Sequence, residues 1–171
     1  MLIAHIPSGY IVAKAFKQEK KSIVISSLIF SVWPDIGLIY FYLFDSSIIH
    51  RHFFPHLPII MISAFLITLP LYHMKFFEKM KIYYVLFFVN WLLHLILDTF
   101  TERIFWLYPL SDHSFQLIEI PAVFSHWIIS FVLHWSFVVE LAIVTFALIL
   151  FLRATKRNRE IEKGTPFSHR V

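Results

Sequence analysis

Asn90, His94 and Asp98 recur every four residues in a stretch, NWLLHLILDTF, that is otherwise almost wholly apolar. On a helix of 3.6 residues per turn that spacing stacks the three side chains on one stripe. An imidazole and a carboxylate one turn apart in apolar surroundings can grip a metal ion or a substrate proton. We read His94 and Asp98 as ligands on one wall of a metal site, with Asn90, one turn deeper, in support at most. A lone His-x-x-x-Asp also occurs as a helix-end hydrogen-bonded pair. The apolar setting favours the ligand reading, because an Asp at the centre of a spanning helix costs about 2.5–3.5 kcal/mol to insert.

The remaining walls must come from elsewhere in the chain. Asp35 follows Trp33-Pro34 and opens the run IGLIYFYLF, so it reads equally as a ligand or as a helix N-cap. His50, His52 and His56 lie within seven residues in IHRHFFPHLP, beside Arg51, a cluster suited to a metal or an anion. His5 stands near the start. His73, His126 and His169 fall at the edges of apolar runs or in the tail, where solvation explains them. Asp112 and His113 could edge the site or be solvated. His134 and Glu140 lie six residues apart in the last apolar run, about 120° apart on a helix, and do not form one site. Glu140 then needs a partner from a neighbouring helix.

These residues must be positioned by apolar helices. The chain has 171 residues, 58% of them hydrophobic and 19% aromatic, with a mean hydropathy of +0.72. Soluble domains average about 45–50% apolar, so the composition indicates an all-α integral membrane bundle of one domain. There is no cysteine, which excludes disulfides, thiolate nucleophiles and Cys-based zinc sites. Any metal must be held by imidazole nitrogen and carboxylate oxygen. The net charge of +4 reflects cytoplasmic anchoring by Lys and Arg rather than nucleic-acid binding.

Apolar runs occupy residues 2–16, 22–44, 58–72, 82–97 and 127–152, giving four to five membrane segments, the first of them re-entrant or a short crossing. Pro34 predicts a kink in the second. Of the 15 Lys and Arg, 13 lie before residue 22, in the 73–81 turn or after residue 152, and only Arg51 and Arg103 lie in the other connections. This alternation puts both termini in the cytoplasm and the 45–57 and 98–126 connections outside. Residues 1–152 then form the membrane domain and 153–171 a basic cytoplasmic tail. If 5–17 and 22–35 make a helical hairpin, His5 and Asp35 rise about 18–20 Å above its tip, and His94 rises about 20 Å above Lys81. Three candidate ligands reach one level.

The motif order resembles that of the YdjM-like family of small bacterial membrane proteins, described as LexA-regulated, membrane-bound, predicted metal-dependent hydrolases. His5 to Gly9 is similar to its HxxxG motif, Pro34-Asp35 to its PD motif, and His50-Arg51 with His56 to its HR…H loop. His94, Leu97-Asp98, Thr101 and Pro109 resemble its HxxLD…T…P stretch. The likeness covers about residues 4–112. This chain departs from it at Gly37, where the family has a second Asp, and at Pro55 and Leu57, where it has Thr and Ser. It also lacks the Gly expected after Thr101.

The resemblance implies a metal-dependent hydrolase in a multi-pass bacterial cytoplasmic membrane. His5, Asp35, His50, His56, His94 and Asp98, with His52 as a further imidazole, offer more donors than one catalytic zinc takes. That number suits one or two divalent ions, zinc first, or several supporting residues. Asp35 or Asp98, off the metal, could serve as general base, and Arg51 could pair with phosphate. A lipid headgroup phosphoester fits that chemistry, with the bilayer as partner and no nucleic acid. Two rivals are a non-catalytic membrane interaction or assembly protein, and a metal-ion or proton transporter using His134 and Glu140.

Overall fold

The computed structural model describes residues 1, 3–37 and 54–164, with side chains up to residue 161. Among the described residues the chain is all-helical, and the only β-type pairing is an isolated bridge between Ile104 and Phe115. His50, Arg51, His52 and His169 lie outside the described residues.

Helix α1 (His5–Ala15) and helix α2 (Lys21–Ser31) pack against each other as a hairpin. Their closest approach is at Gly9, where an added Cβ would lie 2.6 Å from Ser31 Oγ and 2.8 Å from the Ser27 carbonyl. Only a residue without a side chain fits there. Ser27 Oγ donates to the Gly9 carbonyl at 2.8 Å, which ties the two backbones together. α1 stops in a Schellman turn: the N–H of Lys17 bonds the Lys14 carbonyl and that of Gln18 bonds the Ala13 carbonyl, both at 2.9 Å. Lys17 holds the left-handed conformation this turn requires, with φ 55°. α2 ends at Ser31, and a 3-10 turn over Trp33–Asp35 follows with Pro34 inside it, at the expected kink.

A second 3-10 turn, Phe54–His56, leads into α3 (Pro58–Tyr72), whose first residue is the proline that suits that position. After a 3-10 stretch at Lys75–Met80 comes α4 (Lys81–Thr101), the 21-residue centre of the molecule. It packs on α1, α2 and α3. Leu86 seals it against Val12 and Ile23, and Trp91 and Leu95 seal it against Met61. The connection beyond Thr101 folds back on the end of α4. Leu117 and Ile118 N–H groups donate to the Thr99 and Phe100 carbonyls, and Gln116 Nε2 donates to that of Thr101. These are carbonyls a helix end leaves without partners.

The apolar run expected over 127–152 is divided. α5 covers Trp127–Val132 and α6 covers Phe137–Gly164. The break falls where His134 Nδ1 meets Ser136 Oγ at 2.8 Å, a local side-chain bond of the kind that competes with helix continuation. α6 then runs past Leu152, so residues 153–164 of the expected tail are helical. Lys156 and Glu160 face each other one turn apart at 4.0 Å.

Two helical stretches, Lys75–Thr101 and Phe137–Ile161, are long and apolar enough to cross a membrane, with mean hydropathies of 1.7 and 2.3. α2 and α3 are apolar but span only 11 and 15 residues. Polarity is distributed inside out: His5, Ser27, Asn90, His94, Asp98 and Glu140 are buried, while Ile67, Val138, Phe146, Leu148 and Phe151 are exposed.

Candidate metal centre

His94 lies on the inward stripe of α4 and is buried. Its Nδ1 lies 2.8 Å from the carbonyl of Ser31, the last residue of α2. A carbonyl can only accept, so Nδ1 carries the proton. In the neutral ring this leaves the Nε2 lone pair pointing away from Ser31. Nε2 is buried without a hydrogen-bond partner among the described residues, 3.2 Å from Asp98 Oδ2 and 3.6 Å from Asp35 Oδ1. His56 Nε2 completes the group, 3.5 Å from Asp98 Oδ2 and 3.9 Å from Asp35 Oδ1. The side chains of His56, His94 and Asp98 are at most 3% exposed, whereas that of Asp35 is 29% exposed. Asp35 is the solvent-side member.

Asp98 is fixed by further contacts, as His94 is by Ser31. Asp98 divides its oxygens: Oδ1 receives His5 Nε2 at 3.0 Å and the Met1 amine at 2.6 Å, leaving Oδ2 for the imidazoles. The His5 ring stacks on His94, with centroids 3.8 Å apart and planes at 16°. His56 belongs to the short 3-10 turn, anchored by Trp91 Nε1 donating to the Pro55 carbonyl at 2.6 Å. Deeper on α4, Asn90 Nδ2 donates to Ser27 Oγ at 2.9 Å and so joins α4 to the α1–α2 contact.

Asp35, His56, His94 and Asp98 thus present donor atoms that all lie within 4.8 Å of one another and could hold a metal ion. Tetrahedral zinc with ligand bonds of about 2.0–2.1 Å sets its ligands roughly 3.3 Å apart. The His94–Asp98 and His56–Asp98 distances lie close to that edge. Two carboxylate oxygens facing the lone pair of a neutral imidazole in a buried site repel it unless a proton or a metal cation lies between them, and this set of imidazole and carboxylate donors fits a metal. No family model, curated protein or solved structure matches the chain. The centre has to be read from its own geometry.

Of the residues singled out in the sequence, the structure brings together Asp35, His56, His94 and Asp98, with His5 against the far oxygen of Asp98 rather than within the four-donor group. His50, His52 and Arg51, the other loop candidates, lie outside the described residues. Asp112 and His113 are exposed. His73 is exposed beside Tyr72, and His126 caps α5 by accepting from the Ile128 N–H. Glu140 is fully buried and accepts the Ile3 N–H at 2.6 Å. The partner described for it is the segment before α1.

Sequence reasoning passed over three supports. The Ser31 carbonyl is backbone and has no residue signature. Trp91 looked like one more aromatic on α4. The Gly9–Ser27 contact was visible only as a glycine in an apolar segment, which could have been weighed as a close helix approach.

Proposed function

We propose that the protein is a membrane-embedded, metal-dependent hydrolase acting on a phosphoester at the bilayer surface. One observation carries this reading: His94 has its Nδ1 proton committed to Ser31 and its Nε2 turned toward two carboxylates. This is the arrangement in which proteins orient a metal-binding imidazole. The inside-out polarity and two long apolar helices support a multi-pass helical bundle in which α2 and α3 add shorter membrane segments. The likeness to the YdjM-like family points to a bacterial cytoplasmic membrane.

His56, His94 and Asp98 are the buried donors and would hold the ion, zinc first, since imidazole and carboxylate without thiolate suit it. Such a metal supplies Lewis acidity and brings the pKa of water toward 7. Asp35, more exposed and farther from both imidazoles than Asp98, is the carboxylate we assign as general base. His5 fixes Asp98 through its other oxygen. Arg51 is the cation the sequence offers to a phosphate.

Metal analysis tests the reading. Protein purified without chelator carries stoichiometric zinc or manganese, and the double variant His94→Ala with Asp98→Ala carries none. Wild-type protein that contains no metal and gains no stability from added zinc sinks the hydrolase reading. The site would then be a structural imidazole–carboxylate network, as in the non-catalytic interaction protein.

A further inference from the structure

At the opposite end of α1 from the metal centre, four cations converge on one groove. Lys14 and Lys17 from the end of α1, with Arg153 and Arg157 from α6, line a cleft of about 420 Å³ floored by Leu150 and Ala154. Glu19 is the single carboxylate there, and it is tied to Arg157. Lys14, Lys17 and Arg153 have no carboxylate partner among the described residues. Below the groove the α1–α6 seam turns apolar: Tyr10 and Phe151 meet edge to face at 6.0 Å, and Lys14 Nζ lies 5.5 Å over the Tyr10 ring. The charged rim therefore lies where the apolar part of α6 gives out.

Lys17 supplies a second observation. It occupies the left-handed position of the Schellman turn, where glycine carries no steric penalty and a residue with a Cβ does. A stabler turn was available with glycine, yet the position holds an ammonium group that lines the cleft. Cytoplasmic orientation needs positive charge on this side of the membrane. It does not need that charge gathered from two helices into one groove, nor placed on a residue that costs stability.

We propose that this groove binds the phosphate of an anionic membrane lipid, with the acyl chains following the apolar seam between α1 and α6. The site is distinct from the metal centre and stands or falls apart from the hydrolase reading. Three cations without a carboxylate partner match a phosphodiester headgroup, and basic pockets between membrane helices on the cytoplasmic side take such headgroups.

The full-length protein in phosphatidylcholine nanodiscs, with phosphatidylglycerol added in steps, tests the proposal by thermal stability and by bound lipid in native mass spectrometry. Phosphatidylglycerol is expected to bind and raise the melting temperature. Lys17→Gly is expected to melt no lower than wild type in phosphatidylcholine while binding phosphatidylglycerol about fivefold more weakly, the electrostatic worth of one cation at an anionic surface. Glu19→Gln, which releases Arg157, is expected to bind it more tightly. Lys75→Ala, a cation outside the groove, is expected to leave the affinity unchanged. An equal loss with Lys75→Ala, or an unchanged affinity with Lys17→Gly, means diffuse surface charge and overturns the site. Equal stabilisation by millimolar inorganic phosphate in phosphatidylcholine overturns the lipid assignment.

Discussion

Asp98 and Asp35 are both carboxylates within reach of His94, yet they are not equivalent. Asp98 is buried, with one oxygen engaged by His5 and the Met1 amine and the other facing two imidazoles. Asp35 is partly open and, among the described residues, makes only the longer approaches to the imidazoles. Neutralising each therefore has a different result. Asp98→Asn is expected to lose metal and activity together, whereas Asp35→Asn is expected to retain metal and lose turnover by about 10²–10⁴-fold, the usual contribution of a positioned general base. Metal analysis beside a phosphodiesterase assay separates the two, and parallel loss of metal in both variants removes Asp35 from the base role. His5→Phe retains a ring to stack on His94 but has no nitrogen for Asp98. Supporting contacts of this kind are typically worth 10–100-fold in metal affinity, and a zinc competition titration reads that loss directly.

Helices set these distances, and the decisive contacts between them are small. Between helices in lipid the hydrophobic effect provides no drive, so close packing and hydrogen bonds carry the association. Gly9→Ala pushes a methyl against Ser31 and the Ser27 carbonyl. Overpacking is expected to cost about 1–3 kcal/mol, visible as a lower melting temperature. Because Ser31 also orients His94, metal affinity should fall with it, and a variant as stable as wild type would show that the contact yields freely. The sequence made part of this legible. The four-residue spacing put Asn90, His94 and Asp98 on one stripe, Pro34 marked the kink that follows α2, and the hairpin assumed for the first two segments is the one α1 and α2 form. Those signals survive because each is a local rule about helix geometry. The break at residues 133–136 was hidden because His134 and Ser136 sit within a continuous apolar run, and their mutual hydrogen bond, not hydropathy, ends α5. The orientation of His94 was hidden for another reason: its partner is the backbone of a residue 63 positions away.

For the molecule as a whole, the arrangement of charge and apolar surface leads to a topology that can be measured. Reporter fusions after residues 75–81 and within 153–164 are expected to report the cytoplasm, and fusions within 104–118 the outside. A cytoplasmic signal from the 104–118 connection would invert or remove the crossing assigned to α4. That connection is stitched to the last carbonyls of α4, so the end of α4 that carries Asp98 is covered by its own chain. The dispersal of donors along the sequence also has a consequence for biosynthesis. Asp35 and His56 leave the ribosome well before His94 and Asp98, and His94 acquires its orientation only by meeting the end of α2, made earlier. A half-made chain therefore offers no complete binding set. On the proposed metal reading, ion loading belongs to the finished protein, and a chain stalled before α4 should leave the cell's zinc pool untouched.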